Sequence, residues 1–214
     1  MKNNEIPLLA EHYYHIYNHA NGFENLFSNH ENYLFFLRRY THFISPIADT
    51  FAYCLIPNHI HFLVRIKDEV ALHGAYLAVI QNKEKTTGVK EFTTCYQSTF
   101  VSRQFANLFS SYSQAYNKQQ GRKGSLFMPN FRRKLVESET YFTKLIHYIH
   151  ANPVHHGFVK NLHEWNYSSY YAFSSQKQTS LQRNQVLAWF GGIEAFEEFH
   201  KSTPIDRKLI VEFE

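Results

Sequence analysis

Pro57-Asn58-His59-Ile60-His61-Phe62-Leu63-Val64 is the stretch on which the reading of this chain turns. Thr50 to Ile56 before it and His59 to Ile66 within it are both β-rich, and Pro57-Asn58 is a joint too short for anything but a turn. Two such runs so closely joined predict an antiparallel hairpin. Side chains alternate along a strand, so His59 and His61 share one face while Ile60 turns into the core. Two imidazoles side by side can share one divalent cation and leave positions open for phosphate oxygens. As a bare pattern, His-x-His also fits histidines of a surface or a core, so it needs support from elsewhere in the chain.

Working outward, Glu11 to Ala20 reads as a first strand, with His15 and Tyr17 on one face and His12, Tyr14 and Ile16 on the other. Ser28 to Glu31 matches a capping box, and the apolar spacing of Tyr33, Phe36, Leu37, Tyr40, Phe43 and Ile44 predicts a helix to Ser45 before Pro46. Between Asp68 and Gln97 the pattern weakens, and Lys83 to Gly88 is a polar loop. Val101, Phe105, Leu108, Tyr112 and Ala115 predict a second helix ending near Gln120-Gly121. Gly124 to Val136 returns to β character. Ser138 is the N-cap of a third helix with the stripe Phe142, Leu145, Ile146 and Ile149, expected to stop at Asn152 because Pro153 follows. Trp165 to Phe173 is strand or loop, Ser174 to Arg183 a polar linker, and Val186 to Phe190 and Ile193 to His200 two short helices around Gly191-Gly192.

Strand, helix, two strands, helix, strand, helix is the order of a ferredoxin-like α/β sandwich, an antiparallel sheet with helices on one face. The division expected is one domain over 1–175, then a linker and short helical C-terminal extension over 176–214.

The 214 residues include 44% hydrophobic and 17% aromatic side chains, ample for a core. The net charge of +4 is modest, but Lys118 to Lys134 holds six basic residues and no acid. A clustered basic stripe is a footprint of phosphate contacts, and equally a solvated loop. Arg122, Lys123, Arg132, Arg133 and Lys134 are its candidate DNA-binding residues. Cys54 and Cys95 are far apart and read as reduced thiols. The chain lacks a signal-peptide pattern and any apolar run near the ~20 residues of a membrane span, so a cytoplasmic protein with no membrane partner is expected.

The second informative stretch is Tyr148-Ile149-His150-Ala151-Asn152-Pro153-Val154. On a helix, Tyr148 and Asn152 stand four apart on one flank, roughly 100° from the apolar stripe. Taken alone, Tyr148 fits a boundary tyrosine as well as a nucleophile.

Together, Pro-Asn-His-Ile-His and Tyr-Ile-His-Ala-Asn-Pro-Val with Gly157 following resemble the REP-associated tyrosine transposases, relatives of the single-tyrosine HUH transposases (IS200-like). The similarity spans roughly Glu11 to Phe173. It implies that His59 and His61 are metal ligands, that Tyr148 is the catalytic nucleophile, and that Asn152 stands where single-tyrosine relatives carry a third ligand. It implies a divalent ion, Mg²⁺ or Mn²⁺, and single-stranded or hairpin DNA, REP-like palindromes included, cleaved and rejoined through a 5′-phosphotyrosine. A homodimer is an arrangement that some of these relatives adopt. The alternative is a non-catalytic single-stranded nucleic-acid-binding domain derived from a transposase. A histidine-triad hydrolase fits less well, because Leu63 stands where that family needs a third histidine.

Overall fold

The computed structural model describes residues 6–81, 93–175 and 177–204. The polar loop expected at Lys83 to Gly88 lies outside them. The elements are β1 (Tyr13–His19), α1 (His30–Phe43), β2 (Ala48–Ile56), β3 (His59–Ile66), α2 (Glu69–Gln81), α3 (Thr94–Gln120), β4 (Arg132–Val136), α4 (Glu139–His155), α5 (Tyr170–Ser174), α6 (Arg183–Phe190) and α7 (Ile193–Ser202).

Four strands form one sheet in the order β2-β3-β1-β4, and each neighbouring pair is antiparallel. This is the ferredoxin-like class read from the sequence. The β2–β3 hairpin closes over Pro57-Asn58, with Ile56 opposite His59. Alternation sends Tyr14, Ile16, Ile60, Phe62, Val64 and Ile66 to one face, where they pack with Phe36 and Tyr40 of α1 and Phe105 and Leu108 of α3. The opposite face is covered as well. There Phe51, Ala52, Cys54, Ile56 and Leu63 meet Leu145, Ile146 and Ile149 of α4 and, beyond it, Val186 of α6 and Phe196 of α7. The C-terminal helices thus share an apolar cluster with the helix that carries Tyr148.

Several local expectations shift. The α1 cap falls one residue later than Ser28: Asn29 Oδ1 accepts from the Asn32 amide at 3.1 Å, while Asn32 Oδ1 accepts from the Ser28 amide at 3.0 Å. The Ser28 hydroxyl is instead engaged by the Tyr116 hydroxyl. Helix α2 gave no periodic signal because apolar residues run all round it and only Leu72 and Tyr76 are buried; Asp68 starts it, accepting from the Ala71 amide. Helix α3 begins about two turns before Val101, a start hidden in the sequence because the buried position Gln97 is polar, as Gln104 is further along. Helix α4 does not stop at Asn152 but continues through Pro153 to His155. A proline in the last turn forgoes one backbone bond without ending the helix, and both Asn152 and Pro153 are buried. The run Trp165 to Phe173 is neither a full strand nor bare loop. It pairs with edge strand β2 at Ser168–Cys54, where the Leu55 amide donates to the Tyr167 carbonyl and the Ser169 amide to the Tyr53 carbonyl, then turns into α5.

Candidate active site

The catalytic candidates meet on the sheet face beneath α4. Strands β1 and β3 place His15, Tyr17 and His19 on the same face as His59 and His61, with Tyr17 opposite His61 and His19 opposite His59. Helix α4 lays Tyr148 over this face: its ring centroid is 5.4 Å from that of His61 and 6.3 Å from that of His15, edge-on to both. One turn further, Asn152 Oδ1 is 2.6 Å from His59 Nε2. The Asn152 side chain thus reaches the imidazole of His59 across the sheet face.

The surroundings set the protonation of these groups. His61 is fully buried, and desolvation together with the neighbouring imidazoles holds its pKa well below the ordinary histidine value. Burial likewise pushes His15 down to about 3, with Lys134 adding to the effect. Both rings are therefore neutral, the state in which a ring nitrogen keeps a lone pair to offer a metal. His15 Nε2 and His61 Nδ1 are 2.9 Å apart, so one donates to the other. Among the described residues no Asp or Glu is buried, so the side chains around Tyr148 are uncharged imidazoles and no carboxylate.

The donor set fits a divalent cation. His61 Nε2 is buried with no hydrogen-bond partner among the described residues. His59 has amide oxygens at both ring nitrogens, Asn58 Oδ1 at 3.0 Å from Nδ1 and Asn152 Oδ1 from Nε2. A neutral imidazole carries one proton and can donate to only one of these groups; the other contact is met either by the Asn152 amide turned to present its NH2 or by a cation between nitrogen and oxygen. Among the described residues no group of three or more His, Cys, Asp or Glu side chains forms a metal cage. The candidate donors are two imidazoles and one amide oxygen.

The reading from the sequence passed over His15, His19 and His156. His19 stacks on His59 at 4.8 Å and His156 approaches His59 edge-on at 4.5 Å. The first two were legible as a period-two series with Tyr17 on a strand, had that strand's pairing with β3 been known. His156 repeats the four-residue step from Asn152. Tyr148 is also more enclosed than its flank position suggested, at 3% exposure. The site opens at its His19, Asn58 and His156 margin, where side chains are half-buried or exposed.

The basic stripe does not act as one surface. Arg132 is exposed and Lys134 half-buried on the histidine face, opposite Tyr17 and His15 in register, with Lys134 Nζ 5.5 Å from the Tyr141 ring centre. Arg133 points to the other face and is buried. Arg122 pairs with Glu24 and with Asn117, closing a loop, and Lys123 is exposed beside it.

A ferredoxin-like sheet with a His-x-His strand under a tyrosine-bearing helix is thus what fold and site define. No family model matches the chain. A Haemophilus influenzae protein named "Putative REP-associated tyrosine transposase" is 26% identical over 126 residues, covering 58% of this chain and 59% of that relative. The chain therefore spans under two thirds of the relative it matches. A solved structure described as a REP-associated tyrosine transposase bound to a REP hairpin shares the fold, with a TM-score of 0.52, 14% identity and coverage of 80% of this chain and 84% of that one. Both are named as REP-associated tyrosine transposases, the family that the two sequence motifs resemble. No helix among the described residues is long and apolar enough to cross a membrane.

Proposed function

We propose that this protein is a REP-associated tyrosine transposase that cleaves and rejoins single-stranded or hairpin DNA, with Tyr148 as nucleophile. The observation that carries this reading is the convergence of Tyr148 and Asn152 from α4 onto His59 and His61 of β3, residues about ninety positions away, on one sheet face. A buried phenol, neutral imidazoles and an oxygen–nitrogen donor set have little reason to be assembled for packing alone.

Tyr148 Oη would attack the scissile phosphorus, forming a 5′-phosphotyrosine while the 3′ oxygen leaves. The bond's free energy is kept, so the strand can be rejoined without a nucleotide cofactor. A phenol with a pKa near 10 must lose its proton as it attacks. His59, His61 and Asn152 would hold the divalent ion, which when bound would polarise the phosphate and offset developing charge. Two imidazoles and one amide oxygen, without a carboxylate, suit Mn²⁺ better than Mg²⁺. Arg132 and Lys134 would hold the flanking backbone. Tyr148, His61 and Asn152 are buried, whereas the side chains at the His19, Asn58 and His156 margin are half-buried or exposed, so a phosphate would enter from that margin. A single-stranded segment is flexible enough to enter there, unlike a duplex backbone.

The test is covalent capture. Incubation with end-labelled hairpin or single-stranded DNA in Mn²⁺ should give a label that stays with the denatured protein in the wild type and not in Tyr148→Phe. DNA bound but never captured by the wild type would favour a non-catalytic binding domain.

A further inference from the structure

The reverse face of the sheet carries a second feature at the edge strand. Pairing between β1 and β4 runs from Tyr13–Val136 to Tyr17–Arg132 and resumes only where the Met128 amide bonds His19 and Phe127 bridges Ala20. Residues 129–131 loop away between these points, with Asn130 in the left-handed region at φ 61°. A cleft of about 570 Å³ opens between this loop and α3. Asn18 lies in its wall, so the cleft is on the face opposite Tyr17, His19 and the histidine site.

Arg133 is the telling residue there. It is 8% exposed, stacks over Phe131 at 4.4 Å and donates through Nη1 to Ser102 Oγ at 2.7 Å and to the Ile6 carbonyl at 3.4 Å. Its Nε–H is buried with no hydrogen-bond partner among the described residues. The ion pairs among those residues are Arg65–Asp49 and Arg122–Glu24, and neither reaches it. Burial accordingly pulls its pKa below the usual guanidinium value. A buried cation without an acid is costly unless an anion arrives to meet it. The same wall bears a second, exposed cation, Arg103, and the hydroxyls of Ser110 and Ser113, over a floor that includes Phe109 and Phe127. Cations, hydroxyls and apolar rings in one cleft match one nucleotide unit: a phosphate for the arginines, a planar base for the rings.

We propose that this cleft binds one unpaired nucleotide of the DNA strand, its phosphate on Arg133 and Arg103, so that the strand is gripped from both sides of the β4 edge. Arg132 and Lys134 hold it on the catalytic face, and Arg133 and Arg103 anchor it behind. The inference rests on DNA being the ligand of the protein, and not on Tyr148 being its nucleophile.

The full chain is titrated with the dinucleotide dTpdT while the Nε–Hε resonance of Arg133 is followed by NMR. A saturable shift is expected in the wild type and in Tyr148→Phe. It should be lost in Ala106→Glu, which sets a carboxylate on an exposed position of the cleft wall without disturbing the core. Binding of a 12-nucleotide single strand should weaken roughly tenfold in Ala106→Glu and a few fold in Arg103→Ala, as expected for loss of phosphate contacts. An unmoved resonance, or unchanged affinity in Ala106→Glu, overturns the proposal. An equal response to inorganic phosphate and to dTpdT overturns the nucleotide assignment. A shift seen in a wild type that never cleaves DNA would sink the transposase reading and leave the cleft standing.

Discussion

His15 Nε2 lies 2.9 Å from His61 Nδ1, joining the first strand of the fold to the His-x-His strand across the centre of the sheet. If His61 Nδ1–H donates to His15, the His61 Nε2 lone pair is turned towards the site, as second-layer partners do for metal-bound imidazoles. His15→Ala should then lower cleavage or raise the Mn²⁺ needed by roughly 10–100-fold, and His15→Gln should recover part of the loss. Unchanged cleavage at limiting Mn²⁺ would reduce the pair to packing.

Tyr148→Phe should abolish covalent attachment while leaving single-strand binding within a few fold. The ring keeps its edge contacts with His15 and His61, so the melting temperature should change little. An adduct that persists in this variant would direct attention to Tyr141, seven residues earlier on the same flank.

His59→Ala and His61→Ala should each remove metal-stimulated cleavage with the fold intact by circular dichroism. Asn152→Ala should be milder, since water can replace an amide oxygen. Mn²⁺ should support cleavage better than Mg²⁺. Equal rates in EDTA and in Mn²⁺ would remove the metal from the reading.

Acid should loosen the C-terminal layer. Burial holds His147 down to about 4 and His200 to about 3, and the His200 Nε2 is 3.0 Å from His150 Nδ1. In the unfolded chain both titrate near 6.5, so the unfolded state binds more protons between these values. Their contribution is complete above about pH 6.5 and is lost as pH falls towards 4, at up to ~1.4 kcal/mol per group per unit. Urea midpoints at pH 7.5 and 5.0 check this; His200→Phe should flatten the difference, and a midpoint independent of pH would contradict it.

The basic residues should separate by role. Arg132→Ala should weaken binding to single strands of any sequence and flatten the salt slope by about 0.7. Arg122→Ala should cost stability instead, because Arg122 is engaged with Glu24 and Asn117. The reverse pattern in salt titrations and thermal melts would return Arg122 to the DNA surface.

What the sequence by itself determined is local. Period-two alternation put His59 and His61 on one face and the Pro57-Asn58 turn joined their strand to its neighbour. The 3.6-residue period put Tyr148 and Asn152 on one flank of a helix. Those rules act over a few residues, so they hold without knowledge of the rest of the chain. Where burial ran against them they failed: the polar positions Gln97 and Gln104 are in the core of α3, and Asn152 and Pro153 stay helical because they are packed. What only the tertiary structure decided is which faces meet. The pairing of β1 with β3 adds His15 and His19 to the site, and the packing of α4 sets Asn152 against His59. Strand β4 divides three consecutive basic residues, sending Arg132 and Lys134 to the catalytic face and Arg133 behind it. Register and packing are long-range choices, fixed by burying two apolar faces of one sheet at once, and no window of sequence contains them.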